Sequence, residues 1–173
     1  MLKRRREQEK ECMKSKKEKS AVKKGNDFER RVFLIFSKLL DEENLFISAK
    51  RSQIYHKKKY YSGHRKKSIT FDISIESFSE GAKEYSMLII IECKDYSKLV
   101  PINDVEEFKA KLDQIAGKNV KAIMITRNGF QSSVLEYAKS SGIALARLID
   151  NERINWDVDR TNNDKTRIND KVL

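Results

Sequence analysis

The sequence predicts an α/β domain with elements in the order α-β-β-β-α-β-α-β, a sheet flanked by helices. Three patterns carry the prediction. Apolar residues recur at helical spacing from Phe28 to Leu40, the stripe of an amphipathic helix. Residues 69–76 alternate apolar and polar, and the neighbouring "MLIII" is apolar throughout; these read as a strand with one buried face beside a strand buried on both. Two helical stretches, one opened by Pro101 and one closed by Gly142, each follow or precede a further apolar strand. The 173 residues are enough for one domain with a proper core.

Taken in order, "NDFERRVFLIFSKLLDEE" is the first helix, with Phe28, Val32, Phe33, Ile35, Phe36, Leu39 and Leu40 inward and Asn26 or Asp27 as N-cap. "LFISAKRSQIY" is the first strand. "SITFDISIESF" is the second, with Ile69, Phe71, Ile73 and Ile75 on one face and Thr70, Asp72, Ser74 and Glu76 on the other. "YSMLIIIECK" is the third. A helix over 102–116 turns Val105, Phe108, Leu112 and Ile115 inward. "NVKAIMIT" is a strand, and "QSSVLEYAKSSG" a helix whose first residue, Gln131, is either a cap or a backbone contact for phosphate. "IALARLI" is the last strand. The domain so defined spans 25–150. Residues 1–24, with eleven Lys/Arg against four Glu, form a basic extension, flexible or a lone helix. Residues 151–173 read as a polar tail with Trp156 as its anchor.

Charged residues make up 36% of the chain and the net charge is +11, which favours a polyanionic partner, nucleic acid first among them. The two cysteines, Cys12 and Cys93, supply neither zinc spacing nor a disulfide framework. That fits a reducing, cytoplasmic setting. The charged N-terminus has no apolar stretch like that of a signal peptide, and the longest apolar runs are too short to span a bilayer, so no membrane partner is expected.

The run "KRSQIYHKKKYYSGHRKK", residues 50–67, holds eight Lys/Arg and no acid. Lys57, Lys58, Lys59, Arg65, Lys66 and Lys67 suit a phosphate backbone, and Tyr60 and Tyr61 suit stacking on exposed bases. A solvated hairpin tip is the plainer alternative. His56 and His64 have no acidic neighbour in the sequence and read as loop residues.

The densest chemistry lies in "IIIECKDY", residues 89–96. A hairpin through "SFSEGAKEY" with its midpoint at Ala82, beside Gly81, sets Asp72 opposite Glu92 and Thr70 opposite Lys94. Such partners lie about 4.5–5.5 Å apart at Cβ, and Cys93 turns toward the core. Two bare carboxylates so placed repel each other. A hard divalent cation compensates them, and bound Mg²⁺ polarises a phosphate oxygen and acidifies its water. Lys94, on the same face, can hold the attacking hydroxide or neutralise charge in a phosphoryl transition state. The spacing alone also fits an ordinary Glu–Lys pair at a hairpin rim, and a one-residue slip turns Asp72 to the other face.

"FD" at 71–72 followed by "IECK" at 91–94 resembles the signature of the PD-(D/E)xK nucleases. The stretches "GNDFERRVFLIFSKLL", "ECKDYSK", "VEEFKAKLDQIAG" and "AIMITRNGFQSSVLEYAKSSGIAL" are similar to Mrr-like restriction endonucleases. The resemblance implies a restriction-endonuclease-like αβββαβ core, a central mixed sheet flanked by helices. It implies a Mg²⁺-dependent DNA endonuclease, with Mn²⁺ as substitute. Asp72 and Glu92 match the acidic metal ligands, the backbone carbonyl of Cys93 a further ligand, Lys94 the catalytic lysine, and Glu29 the helix glutamate near the metal. Phe71 departs from the name-giving proline. Two rival readings share the fold: a DNA-binding module without catalysis, and a Holliday-junction-type resolvase, which requires a homodimer presenting two sites.

Overall fold

The computed structural model describes residues 23–115, 119–150 and 152–158. A six-stranded mixed sheet runs through the middle of the domain. Its strands are β1 (Ser52–His56), β4 (Ile73–Phe78), β5 (Tyr85–Lys94), β6 (Val120–Thr126), β7 (Ile143–Ile149) and β8 (Arg153–Val158), adjacent in that order. A separate two-stranded ribbon pairs β2 (Lys59–Ser62) with β3 (Lys67–Thr70). Helix α1 covers 23–41, α2 Ile102–Leu112 and α3 Ser132–Ser141. The β1–β4–β5 part is antiparallel, β5–β6–β7 is parallel through the α2 and α3 crossovers, and β8 returns antiparallel. Parallel neighbours need such crossovers, and the helices they carry bury the sheet. Among the described residues no helix is long and apolar enough to cross a membrane.

Alternation along the strands divides the core in two. Leu88, Ile90, Met124 and Leu145 face α2, α3 and the ribbon, where Val105, Phe108, Leu112, Val134 and Ala138 meet them. Ile89, Ile91, Ile123 and Ile125 face α1, where Phe28, Val32, Phe36 and Leu40 meet them. Both faces of β5 are thus apolar from Met87 to Ile91. The expected hairpin register holds: Ile73↔Ile91 through Ser77↔Met87 keep the midpoint at residue 82, with Gly81 at φ 74° in the turn.

The first strand is shorter than expected, Ser52–His56 after a tight helical turn at Ala49–Arg51, and three further expectations are corrected. The predicted strand over 68–78 is broken at Phe71–Asp72. Lys57 takes φ 55°, and the chain bends there while the Lys57 N–H donates to the Asp72 carbonyl at 2.8 Å. The bend turns Ile69 and Phe71 to the α2 face but leaves Ile73 and Ile75 on the α1 face. Thr70 accordingly pairs with Lys59, not Lys94. Helix α1 already runs at residue 23, so Asn26 and Asp27 are not its cap; the rest of the basic extension lies outside the described residues. Where a polar tail was expected, 153–158 adds the edge strand β8. Its polar sequence is held by Arg147, which grips both carboxylate oxygens of Asp157 at 2.9–3.0 Å, and its buried anchor is Val158, not the exposed Trp156.

Candidate active site

The polar end of β5 emerges where the β3–β4 strand peels away from the sheet, and this brings Asp72 beside it. The ladder ends at Ile73↔Ile91, one pair short of Asp72 and Glu92. Instead of a ladder bond, Asp72 Oδ2 accepts the Cys93 N–H at 2.8 Å. The carboxylates are neighbours, as the register predicts, and they oppose one another. Burial and the charge of Glu92 push the Asp72 carboxyl up to about 7, Glu29 adds to the rise, and the Cys93 N–H and Lys94 offset part of it.

Glu92 is buried and takes Lys94 Nζ at 3.3 Å on Oε1. Burial works to lower the Lys94 pKa, but Glu92, Tyr96 and Asp104 outweigh it and hold the ammonium charged above its ordinary value. Cys93 turns its side chain to the α1 face of the core, as expected. Burial first, and then Asp72, Glu29 and Glu92, raise its thiol well above the usual range. It is an inert neighbour, offering the site its backbone and no thiolate.

Glu29 reaches the same region from α1. Its Oε2 meets Lys57 Nζ at 2.9 Å and His56 Nε2 at 3.4 Å. This pairs Glu29 with the start of the basic run. His56 is therefore no isolated loop histidine: its ring lies tilted against that of Phe33, and it faces a carboxylate 27 positions away. Lys57 also donates to Asn26 Oδ1 at 2.8 Å.

The basic run itself sorts into two sets. Lys59, Arg65, Lys66 and Lys67 are exposed on the β2–β3 ribbon and its tip, and Tyr61 beside them is 66% exposed. Lys58 and Tyr60 turn inward. Lys58 meets Glu76 Oε1 at 2.6 Å, and the Tyr60 hydroxyl donates to the same oxygen at 2.8 Å. Tyr60 is buried against Phe71 and Tyr85, with burial raising its hydroxyl pKa, so the expectation that it stacks on bases is corrected. Gln131 stands at the start of α3, but its N–H is taken by the Val100 carbonyl at 3.1 Å rather than left for a phosphate.

One residue of this site is not among those the sequence predicts. Lys111 of α2 comes within 3.5 Å of Glu92 Oε1. The apolar stripe dominates the pattern of that helix, and the lysine lies one step off it.

Asp72, Glu92 and the Cys93 carbonyl would supply an all-oxygen donor set, which suits a hard divalent cation and not zinc. The raised Asp72 carboxyl, driven first by burial and then by the charge of Glu92, is the observation that fits a cation there. Among the described residues no three His, Cys, Asp or Glu side chains cluster as a ready-made cage.

Comparison with known proteins adds two findings. A family model described as restriction endonuclease matches residues 64–155, more than half of the chain, taking in Asp72, Glu92 and Lys94 but not Glu29. A crystal structure of a protein of unknown function is similar in fold, with a TM-score of 0.50 at 15% identity over 68% of this chain and 58% of that one. This chain thus spans less than two thirds of that protein's length. No curated protein matches the sequence.

Proposed function

Because the chain belongs to the Mrr-like restriction endonuclease family, we propose that it is a divalent-metal-dependent nuclease that hydrolyses DNA phosphodiester bonds internally. The observation that carries this reading is the pair of neighbouring carboxylates, Asp72 and Glu92, with Lys94 held charged beside them at the end of a central strand.

Asp72, Glu92 and the Cys93 carbonyl would hold Mg²⁺, or Mn²⁺ in its place. When bound, such an ion polarises a phosphate oxygen and lowers the pKa of its water. Lys94 is the group that meets the phosphate. Its ammonium stabilises negative charge as it builds in the transition state, in a partly water-excluded setting where such a charge counts for more. Glu29 acts in support from α1, and its pairing with Lys57 and His56 ties the start of the ribbon to the site. Lys59, Arg65, Lys66 and Lys67 extend the positive surface along the ribbon toward the DNA backbone. Phosphate contacts of this kind give affinity without sequence preference.

The test is incubation of purified protein with supercoiled, linear, methylated and four-way-junction DNA in Mg²⁺, Mn²⁺ or EDTA. The reading expects nicking or cutting of at least one substrate with either metal and none in EDTA. Cleavage that persists in EDTA, or that Asp72→Asn leaves at the wild-type rate, removes it.

A further inference from the structure

Helix α2 buries Val105, Phe108 and Leu112. Asp104, Glu107 and Lys111 precede these by one position each and keep the same i, i+3, i+7 spacing, so they line a second face beside the apolar one. That face borders the carboxylate site. Asp104 helps to hold Lys94 charged. Lys111 Nζ lies 3.5 Å from Glu92 Oε1, the oxygen that Lys94 approaches at 3.3 Å. One turn back, Glu107 Oε1 meets Lys111 at 2.9 Å. The Lys111 side chain is only 21% exposed, and a lysine is seldom so covered without a charge to answer.

The geometry points to Lys111 as a positioning residue of the phosphodiester reaction, one that holds the Glu92 carboxylate and opposes the cation that Glu92 shares. The role in cleavage rests on the nuclease reading above; the role toward a cation does not. Two ammonium groups on one oxygen have two effects. They fix the orientation of the carboxylate, which a reaction sensitive to misplacement needs. They also repel any further cation brought to it. Loss of Lys111 therefore tightens metal binding and slows cleavage. A lysine that only fastened helix to sheet would give the opposite sign on the metal, since a loosened site binds more weakly.

The experiment compares Lys111→Gln, Lys111→Arg and Lys109→Gln with the wild type. Lys109 lies on the same helix but pairs with Asp113, so its loss removes the same charge elsewhere. Mn²⁺ affinity is measured on the DNA-free protein by calorimetry or electron paramagnetic resonance. Plasmid cleavage in Mg²⁺ gives kcat and KM. Lys111→Gln should bind Mn²⁺ roughly 3- to 10-fold more tightly and turn over about 10- to 100-fold more slowly, with KM for DNA little changed. Lys111→Arg should keep wild-type Mn²⁺ affinity and recover part of kcat, and Lys109→Gln should match the wild type in both. Unchanged or weaker Mn²⁺ binding by Lys111→Gln overturns the inference, and so does a wild-type kcat in that variant. If the wild type itself fails to cleave, the nuclease reading falls, and the Mn²⁺ comparison alone decides whether Lys111 opposes the cation at Glu92.

Discussion

Glu76 on β4 and Glu92 on β5 lie on the same face of the sheet, both almost wholly buried and both met by lysine. Glu76 is closed off. Lys58 at 2.6 Å and the Tyr60 hydroxyl at 2.8 Å end on its Oε1, and the Lys58 ammonium sits 3.6 Å above the Tyr55 ring. Glu92 is held more loosely, by Lys94 at 3.3 Å and Lys111 at 3.5 Å, and it has a second carboxylate for a neighbour. Burial first, and then the charge of Glu92, push the carboxyl of that neighbour, Asp72, up to about 7. Burial and a lysine partner are common to both glutamates, so neither marks a site. What separates them is a carboxylate pair whose repulsion the surrounding cations leave standing. Such a pair is poorly placed for stability alone, which is why it points to chemistry.

The comparison is sharpened most by removing Lys94. Lys94→Ala should slow DNA cleavage by roughly 100- to 1,000-fold with the fold intact by circular dichroism; a near-wild-type rate, contaminating nuclease excluded, would take Lys94 out of the reaction. Next comes pH. In metal-free buffer the Asp72 carboxyl titrates near 7 in the folded protein, against about 4 in an unfolded chain. The folded state therefore keeps a proton that the unfolded state has released. This contribution to stability is complete below about pH 4 and is lost as pH rises through about 7. Denaturant melts in EDTA should show wild type losing roughly 2–4 kcal/mol more than Asp72→Asn between those limits. Parallel curves would contradict the raised Asp72 carboxyl.

Replacing Lys59, Arg65, Lys66 and Lys67 together by Gln should weaken DNA binding without changing sequence preference. The slope of log affinity against log salt should shrink by about 0.9 for each duplex phosphate that is no longer neutralised; an unchanged slope would place the DNA on another surface. The smallest effect is expected at Tyr60→Phe. Loss of the hydroxyl that Glu76 accepts should cost about 1 kcal/mol of stability and leave DNA affinity unaltered. A fall in affinity there would return Tyr60 to the binding surface.

Much of this contrast is legible in the sequence. The turn residue Gly81 and the period-two pattern of β4 fix the hairpin register, and with it the meeting of Asp72 and Glu92. The separation of Tyr60 from Tyr61 follows from the alternating faces of β2, but two adjacent tyrosines carry no pattern that says which one is buried. Other features depend on packing that local patterns do not encode. The break at Phe71–Asp72, opposite the positive φ of Lys57, is a backbone choice that flips the faces of Ile69 and Ile73 relative to one another. His56 finds Glu29, and Lys111 finds Glu92, only once strand and helix are packed. Strand β8 looks like a tail because the pairing of Asp157 with Arg147 that holds it spans two strands. The fold follows from burial, which repeats along each element. The outer part of the site follows from single long side chains crossing between elements, and nothing repeats there to be read.

The most direct test of the account is Mg²⁺-dependent plasmid cleavage by Glu92→Gln and Glu76→Gln, measured side by side at a temperature where both are folded. Each variant removes one negative charge from the same face of the sheet. The account predicts no cleavage by Glu92→Gln and a wild-type rate for Glu76→Gln, whose cost falls on stability instead, at roughly 1–3 kcal/mol. Cleavage by Glu92→Gln at the wild-type rate, or loss of cleavage in folded Glu76→Gln, would contradict it.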